Sequence, residues 1–247
     1  MNIYYIISFF LIGTYLGNLY NVIGYRLPNK DKIIYPSIND KKNTICLIKL
    51  IPVFNYFILR KKSNISVIDF LFEILSGILF MVTYLLFGIS LECLFSITFI
   101  SMLLIIIISD YYYMIICDEI LIIFGVLLLI EIYFLKGLDG IIYSVISGLI
   151  SFIIMYLIKK IGDIIFKKES MGGGDIKLLL IFGITLGFPA SLFTIFIGAI
   201  IALPIAIISL KKTDSHILPF GPFLSIAAIL LLLFNTTLTD IFTQLLF

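Results

Sequence analysis

The chain has 247 residues, of which 62% are hydrophobic and 13% are charged, and its formal net charge is +2. Its mean hydropathy of +1.21 is far above that of a soluble domain, so the composition excludes an ordinary soluble enzyme and indicates an all-α, multi-pass membrane protein. The near-neutral charge predicts no nucleic-acid partner, and the length leaves no room for a separate soluble domain. We therefore predict a single integral-membrane domain over residues 1–247 that has the lipid bilayer as a partner.

Polar interruptions divide the chain into eight apolar runs. In chain order these are residues 3–24, 67–87, 91–109, 115–134, 140–158, 176–187, 190–210 and 223–246. A helix needs about twenty apolar residues to cross a bilayer, and only the sixth run falls clearly short of that length. The sequence predicts about eight transmembrane helices.

The basic residues give an orientation for these helices. Nine of the 17 lysines and arginines lie in the loop over residues 25–66, five lie between residues 159 and 177, and two lie at residues 211 and 212. Only Lys136 falls elsewhere. Because cytosolic loops are enriched in lysine and arginine, we expect a protein of the cell (inner or plasma) membrane with both termini outside and the 25–66 loop in the cytosol.

Two carboxylates stand at the edges of apolar runs. Asp110 ends the third run, and Asp175 begins the sixth, directly after Gly172, Gly173 and Gly174. A charge at that depth is costly and usually has a function. The predicted topology places both acids at the cytosolic boundary, where a carboxylate pair could share a proton and activate water as in an aspartyl protease. The glycines would let the backbone approach a peptide substrate closely.

Other interpretations of these acids remain open at this point. Asp118 and Glu119 are alternative partners for Asp175, and Asp110 could simply cap a helix end. A transporter or a non-enzymatic assembly component could also carry carboxylates at helix ends. The absence of a charged residue near mid-membrane favours chemistry at the interface over a transmembrane pathway.

The remaining polar and sulfur residues are less informative. Cys46, Cys93 and Cys117 lie far apart without a C-x-x-C pair, which predicts neither a disulfide framework nor a thiolate zinc site. The tyrosines at 111–113 are typical of an interfacial aromatic belt. The single histidine, His216, has no neighbouring ligand residues and is expected to be a solvated loop residue.

Several motifs occur in a recognisable order. Residues 13–28 read GTYLGNLYNVIGYRLP, residues 51–53 read IPV, residues 73–77 read EILSG, residues 172–178 read GGGDIKL and residues 219–224 read PFGPFL. Asp110 and Asp118 are also eight residues apart. The order and spacing resemble the type IV prepilin peptidases over nearly the whole chain.

The resemblance implies a peptidase core over residues 100–247. In that core Asp110 and Asp175 would be the catalytic dyad of a GxGD-type aspartyl protease. The supporting residues would be Gly172, Gly173, Gly174, Lys177 and Asp118. The implied reaction removes the leader peptide of a prepilin or pseudopilin, after a glycine, at the cytosolic face.

The resemblance also implies a role for the N-terminal half, which contains the 25–66 loop. In the family this half is associated with methylating the new N-terminus from S-adenosylmethionine, and the matching residues here are Asn21, Arg26, Glu73 and Gly77. This sequence departs from the family pattern at two places. Cys117 replaces the usual proline before Asp118, and the 25–66 loop holds only Cys46 where many members have two C-x-x-C pairs. No zinc is therefore predicted, and a peptidase without methyltransferase activity is the alternative.

Overall fold

The computed structural model describes residues 2–30, 67–167, 169, 171–210 and 218–246. Those residues form helices and no strands, which confirms the all-α prediction. The helices are α1 (Ile3–Arg26), α2 (Val67–Phe87), α3 (Leu91–Tyr113), α4 (Asp118–Phe166), α5 (Gly173–Leu186), α6 (Phe188–Leu210) and α7 (Gly221–Leu246). Most of the 25–66 loop, including Cys46, lies outside the described residues, as does His216.

Within the described residues, five helices are long and apolar enough to cross a membrane, namely α1, α2, α3, α4 and most of α6. This agrees with a polytopic membrane protein, but the prediction of eight spans is wrong. The runs at 115–134 and 140–158 belong to one helix, α4, and the run at 176–187 becomes the 14-residue helix α5. Of the run at 223–246, the residues searched give only the shorter apolar helix Gly221–Phe234, which is part of α7. The placement of both termini outside depended on an even number of crossings and is not supported by this count.

The helix α4 contains a single-residue break where the sequence analysis predicted a loop between two helices. Gly137 has φ 68° and ψ −162°, a conformation accessible essentially only to glycine. The 49 residues of α4 would measure about 74 Å as a straight helix, more than twice the hydrocarbon thickness of a bilayer. The polar residues around Gly137 predict a loop, whereas in the structure the helix changes direction at Gly137 alone.

The chain forms two compact units, Met1–Tyr113 and Met114–Phe247. In the first unit, α1 and α2 meet along a seam of small residues. A Cβ added to Gly13 would lie 2.7 Å from the Ser76 carbonyl oxygen and 2.8 Å from Gly77 Cα. The Ser76 hydroxyl donates a hydrogen bond of 2.6 Å to the Gly13 carbonyl. Small residues allow such close backbone approach between membrane helices.

The helix α3 is the core of the first unit. Every residue from 99 to 110 is buried. The contact of α3 with α1 includes Gly24, where an added Cβ would lie 2.8 Å from Ile108 Cβ, and a 2.6 Å hydrogen bond between the Tyr20 and Ser101 hydroxyls. This packing holds the end of α3, which carries Asp110, against α1.

In the second unit, α5 is seated tightly on α4. A Cβ at Gly183 would lie 2.7 Å from Gly148 Cα, and one at Gly125 would lie 3.1 Å from Ile181 Cδ1. Gly125 precedes the break at Gly137 and Gly148 follows it, so α5 contacts α4 on both sides of the break. This packing fixes the body of α5, whose first turn carries Asp175.

Candidate active site

Asp175 is the third residue of α5 and is only 8% exposed. Its carboxylate is directed back over the start of its own helix, because a Cβ added to the N-cap residue Gly172 would lie 3.3 Å from Asp175 Oδ2. The first turn of a helix favours negative charge through its unpaired N–H groups and the helix dipole. The short helix therefore offsets part of the cost of burying this carboxylate.

The three glycines before Asp175 have different surroundings. None of them has a positive φ, so conformational freedom does not explain the run. A Cβ on Gly173 would meet nothing within 4 Å, whereas a Cβ on Gly174 would lie 2.9 Å from Ile116 Cβ. Gly174 is the glycine that the local packing requires.

Asp118 and Lys177 form an ion pair in the second unit. Lys177 Nζ donates to both carboxylate oxygens of Asp118, at 2.8 Å and 2.7 Å. Both side chains are about half exposed, at 51% for Lys177 and 55% for Asp118. From the sequence alone Asp118 is an alternative partner for Asp175, and in the structure it pairs with Lys177.

Asp110 lies near the end of α3 in the first unit and is 6% exposed. Its neighbour Ser109 is fully buried and donates its hydroxyl to the Ile106 carbonyl at 3.1 Å. Both candidate dyad members are therefore buried carboxylates, each described within its own unit. Burial of this kind is characteristic of functional acids in membrane proteins.

Cys117 is the N-cap residue of α4 and is buried. Burial raises the pKa of its thiol above the usual value, and the carboxylates of Glu119 and Asp118 add to the rise. The side chain makes no capping hydrogen bond. The residue therefore acts as a small neutral side chain between Ile116 and Asp118.

The four residues matched to the methyltransferase-associated motifs lie on α1 and α2. Arg26 and Glu73 are buried. The Asn21 amide donates to the Asp69 carbonyl at 3.1 Å, and a Cβ on Gly77 would lie 2.6 Å from Thr14 Cγ2. Asn21 and Gly77 thus join the two helices.

Two features near these residues were not predicted to be functional. The seam glycines Gly13 and Gly17 are spaced as G-x-x-x-G, a signal for close helix packing that could have been read from the sequence. Tyr25 of α1 also joins the tyrosines at the end of α3, with ring centroids 5.3 Å from Tyr112 and 5.4 Å from Tyr113. No sequence periodicity reveals that second contact.

Among the residues that the structure describes, no three histidine, cysteine, aspartate or glutamate side chains are grouped so as to hold a metal ion. The loop in which many family members carry paired cysteines lies largely outside that part of the chain.

Comparison with known proteins places the two halves of the chain in one family. Residues 97–207 match the type IV leader peptidase family, and residues 11–87 match the bacterial peptidase A24 N-terminal domain. The chain belongs to the type IV prepilin peptidase family. Within this prepilin peptidase chain, the first range contains Asp110, Asp118 and Asp175, and the second contains Asn21 and Glu73.

Two curated relatives match over most of their length. A prepilin leader peptidase/N-methyltransferase of Bacillus subtilis (strain 168) is 28% identical over 246 residues, which cover 95% of this chain and 96% of the relative. A protein of the same name from Neisseria gonorrhoeae is 25% identical over 252 residues, covering 88% and 86%. No solved structure gives a significant match.

Proposed function

We propose that this protein is a membrane aspartic endopeptidase that removes the leader peptide of type IV prepilins or pseudopilins, with Asp110 and Asp175 as its catalytic dyad. The observation that carries the proposal is the match of residues 97–207 to the type IV leader peptidase family, since this range contains both buried carboxylates. We assign the peptidase core to residues 100–247 and treat the whole chain as one functional membrane domain.

The proposed chemistry uses the two acids in opposite roles. One carboxylate accepts a proton from water as the water oxygen attacks the carbonyl carbon of the scissile peptide bond. The other, protonated, donates its proton to the carbonyl oxygen, which gives a tetrahedral intermediate. The carbon–nitrogen bond then breaks as the first acid gives the proton it took from water to the departing amine of the mature chain. The second acid regains its proton from a hydroxyl of the intermediate, and the leader leaves with a new carboxyl group. This division of roles requires the two carboxylates to lie in environments that favour different protonation states.

We place the reaction at the cytosolic face of the cell membrane. Lys159, Lys160, Lys167 and Lys177 lie on the helices and turns near the candidate site in sequence, as expected for cytosolic segments. A substrate that inserts its apolar helix in the bilayer would present its scissile bond at this interface.

Methylation of the new N-terminus is a second activity that we propose from the names of the two relatives. S-adenosylmethionine would be the methyl donor. In this structure two of the four matched residues join α1 to α2, because Gly77 packs against Thr14 and the Asn21 amide donates to the Asp69 carbonyl.

The test is an assay of the purified full-length chain in lipid nanodiscs with a candidate prepilin. We expect mass spectrometry to show loss of the leader at the bond after a glycine. With S-adenosylmethionine present, a methylated product would be heavier by about fourteen mass units. No leader loss across a panel of prepilins and pseudopilins would refute the peptidase, and cleavage without the mass increase would leave a peptidase alone.

A further inference from the structure

The residues before and after Asp175 in α5 contact the same short segment of the chain, residues 116–118. Gly174 abuts Ile116, and Lys177 pairs with Asp118. The positions 174 and 177 are three residues apart and therefore lie on the same face of the helix. That face is directed at residues 116–118. Residues 116 and 117 are the last residues before α4, and residue 118 is the first residue of α4.

We propose that the Asp118–Lys177 ion pair is a positioning clip, which holds the first turn of α5 against the start of α4 and so fixes the carboxylate of Asp175. The proposal rests on the proposed function and assigns Asp118 and Lys177 as positioning residues. It replaces the hypothesis that Asp118 is itself a partner of Asp175 in proton transfer.

The glycine run explains why the first turn needs such a clip. Gly172 and Gly173 have no side chains to anchor them, and an added Cβ at Gly173 would meet nothing. The body of α5 is fixed farther along, at Gly183 against Gly148. In the first turn itself, Gly174 contacts Ile116 and Lys177 pairs with Asp118.

The exposure of the pair indicates what its loss would do. Half-exposed ion pairs contribute little to global stability, because water and salt screen them. Removal of the pair should therefore leave the fold intact while loosening one helical turn. A small displacement of a catalytic group lowers turnover strongly, and substrate binding by other surfaces is much less affected.

The experiment measures kcat and KM for leader removal by the full-length protein in nanodiscs. We expect Asp118→Asn and Lys177→Gln each to lower kcat about tenfold with little change in KM, because misplacement of a reacting group acts on the chemical step. Lys177→Arg keeps the charge and should retain most activity. The reversed pair, Asp118→Lys with Lys177→Asp, should recover at least part of the lost kcat.

A matched control comes from the neighbouring acid. Glu119→Gln removes the same charge one residue along α4 and should leave kcat near the wild-type value. Amide hydrogen exchange at residues 177–180 supplies a readout that does not depend on catalysis. Exchange should quicken in Asp118→Asn and slow again in the reversed pair.

These readouts separate the two proposals. Absence of cleavage by the wild-type protein would refute the proposed function, while the exchange measurement would still test the clip. Unchanged kcat in both single variants would overturn the clip. So would a reversed pair that recovers neither kcat nor slow exchange, because the effects would then belong to the individual residues.

Discussion

At the residue scale, the acids of the candidate site divide by environment. Asp110 and Asp175 are buried, whereas Asp118 is half exposed and bound to Lys177. A buried carboxylate can exchange protons with a substrate away from bulk water, and an exposed ion pair is suited to holding position. The family resemblance favoured Asp110 over Asp118, and the ion pair gives an independent physical reason for the same choice.

The glycine run yields a position-specific prediction. Gly174→Ala should lower leader removal about tenfold, because its Cβ would lie 2.9 Å from Ile116 Cβ and would push the first turn of α5 away. Gly173→Ala should leave activity near wild type, since that Cβ enters open space. The measurement is the initial rate of leader removal at equal protein content.

A compensating change tests the cause of that effect. Ile116→Gly removes the atom that the new methyl group would meet, so the double variant with Gly174→Ala should regain activity. Equal losses in Gly173→Ala and Gly174→Ala would show that backbone freedom, and not the contact with Ile116, explains the glycines.

Cys117 gives a pH-dependent prediction. Burial, together with Glu119 and Asp118, raises the thiol pKa, so the reactive thiolate should form at higher pH than in a free cysteine. In a protein with Cys46 and Cys93 replaced by serine, the midpoint of the alkylation rate against pH should lie above that of a free thiol. Glu119→Gln should move the midpoint down. A midpoint at or below the free-thiol value would contradict this environment.

The sequence could locate these residues only in part. Asp110 and Asp175 stand at the edges of apolar runs within recognisable motifs, so their burial was predictable, and the catalytic role that the resemblance implies for them stays a prediction. The pairing of Asp118 with Lys177 joins residues 59 positions apart and follows no period in the sequence. It depends on how α5 packs on α4, which a linear pattern does not contain.

At the element scale, α4 and α5 account for the main error in the predicted fold. Hydropathy correctly marked the apolar segments but could not distinguish a loop at 135–139 from a break at Gly137. It marked the run at 176–187 as short but still counted it as a span, whereas the structure has the 14-residue helix α5, which ends at Leu186. Length and hydropathy predict that a helix forms, whereas contacts with neighbours decide where it bends and stops.

Gly137 supplies the prediction at this scale. Gly137→Ala should lower the free energy of unfolding by about 1–3 kcal/mol, because φ 68° with ψ −162° is strained for any residue with a Cβ. The exposed, helical neighbour Leu138 provides the control, and Leu138→Ala should have a smaller effect. Thermal unfolding in detergent micelles measures both. Equal midpoints for the two variants would contradict the break in α4.

At the scale of the whole molecule, the match to the type IV leader peptidase family over residues 97–207 includes residues of both compact units, and the proposed dyad has one member in each. Asp110 lies in the unit Met1–Tyr113 and Asp175 in the unit Met114–Phe247. The membrane character and the family were predictable from composition and motifs spread along the chain. The number of crossings was not, because it depends on the path of α4 and on the length of α5.

The proposed dyad is tested most directly by leader removal from a candidate prepilin with Asp110→Asn, Asp175→Asn and Asp118→Asn compared at equal membrane content. We predict that the first two variants lose more than about a hundredfold in activity, since each lacks a proton-transfer group, while Asp118→Asn keeps measurable cleavage. Cleavage near the wild-type rate in either Asp110→Asn or Asp175→Asn would contradict the account.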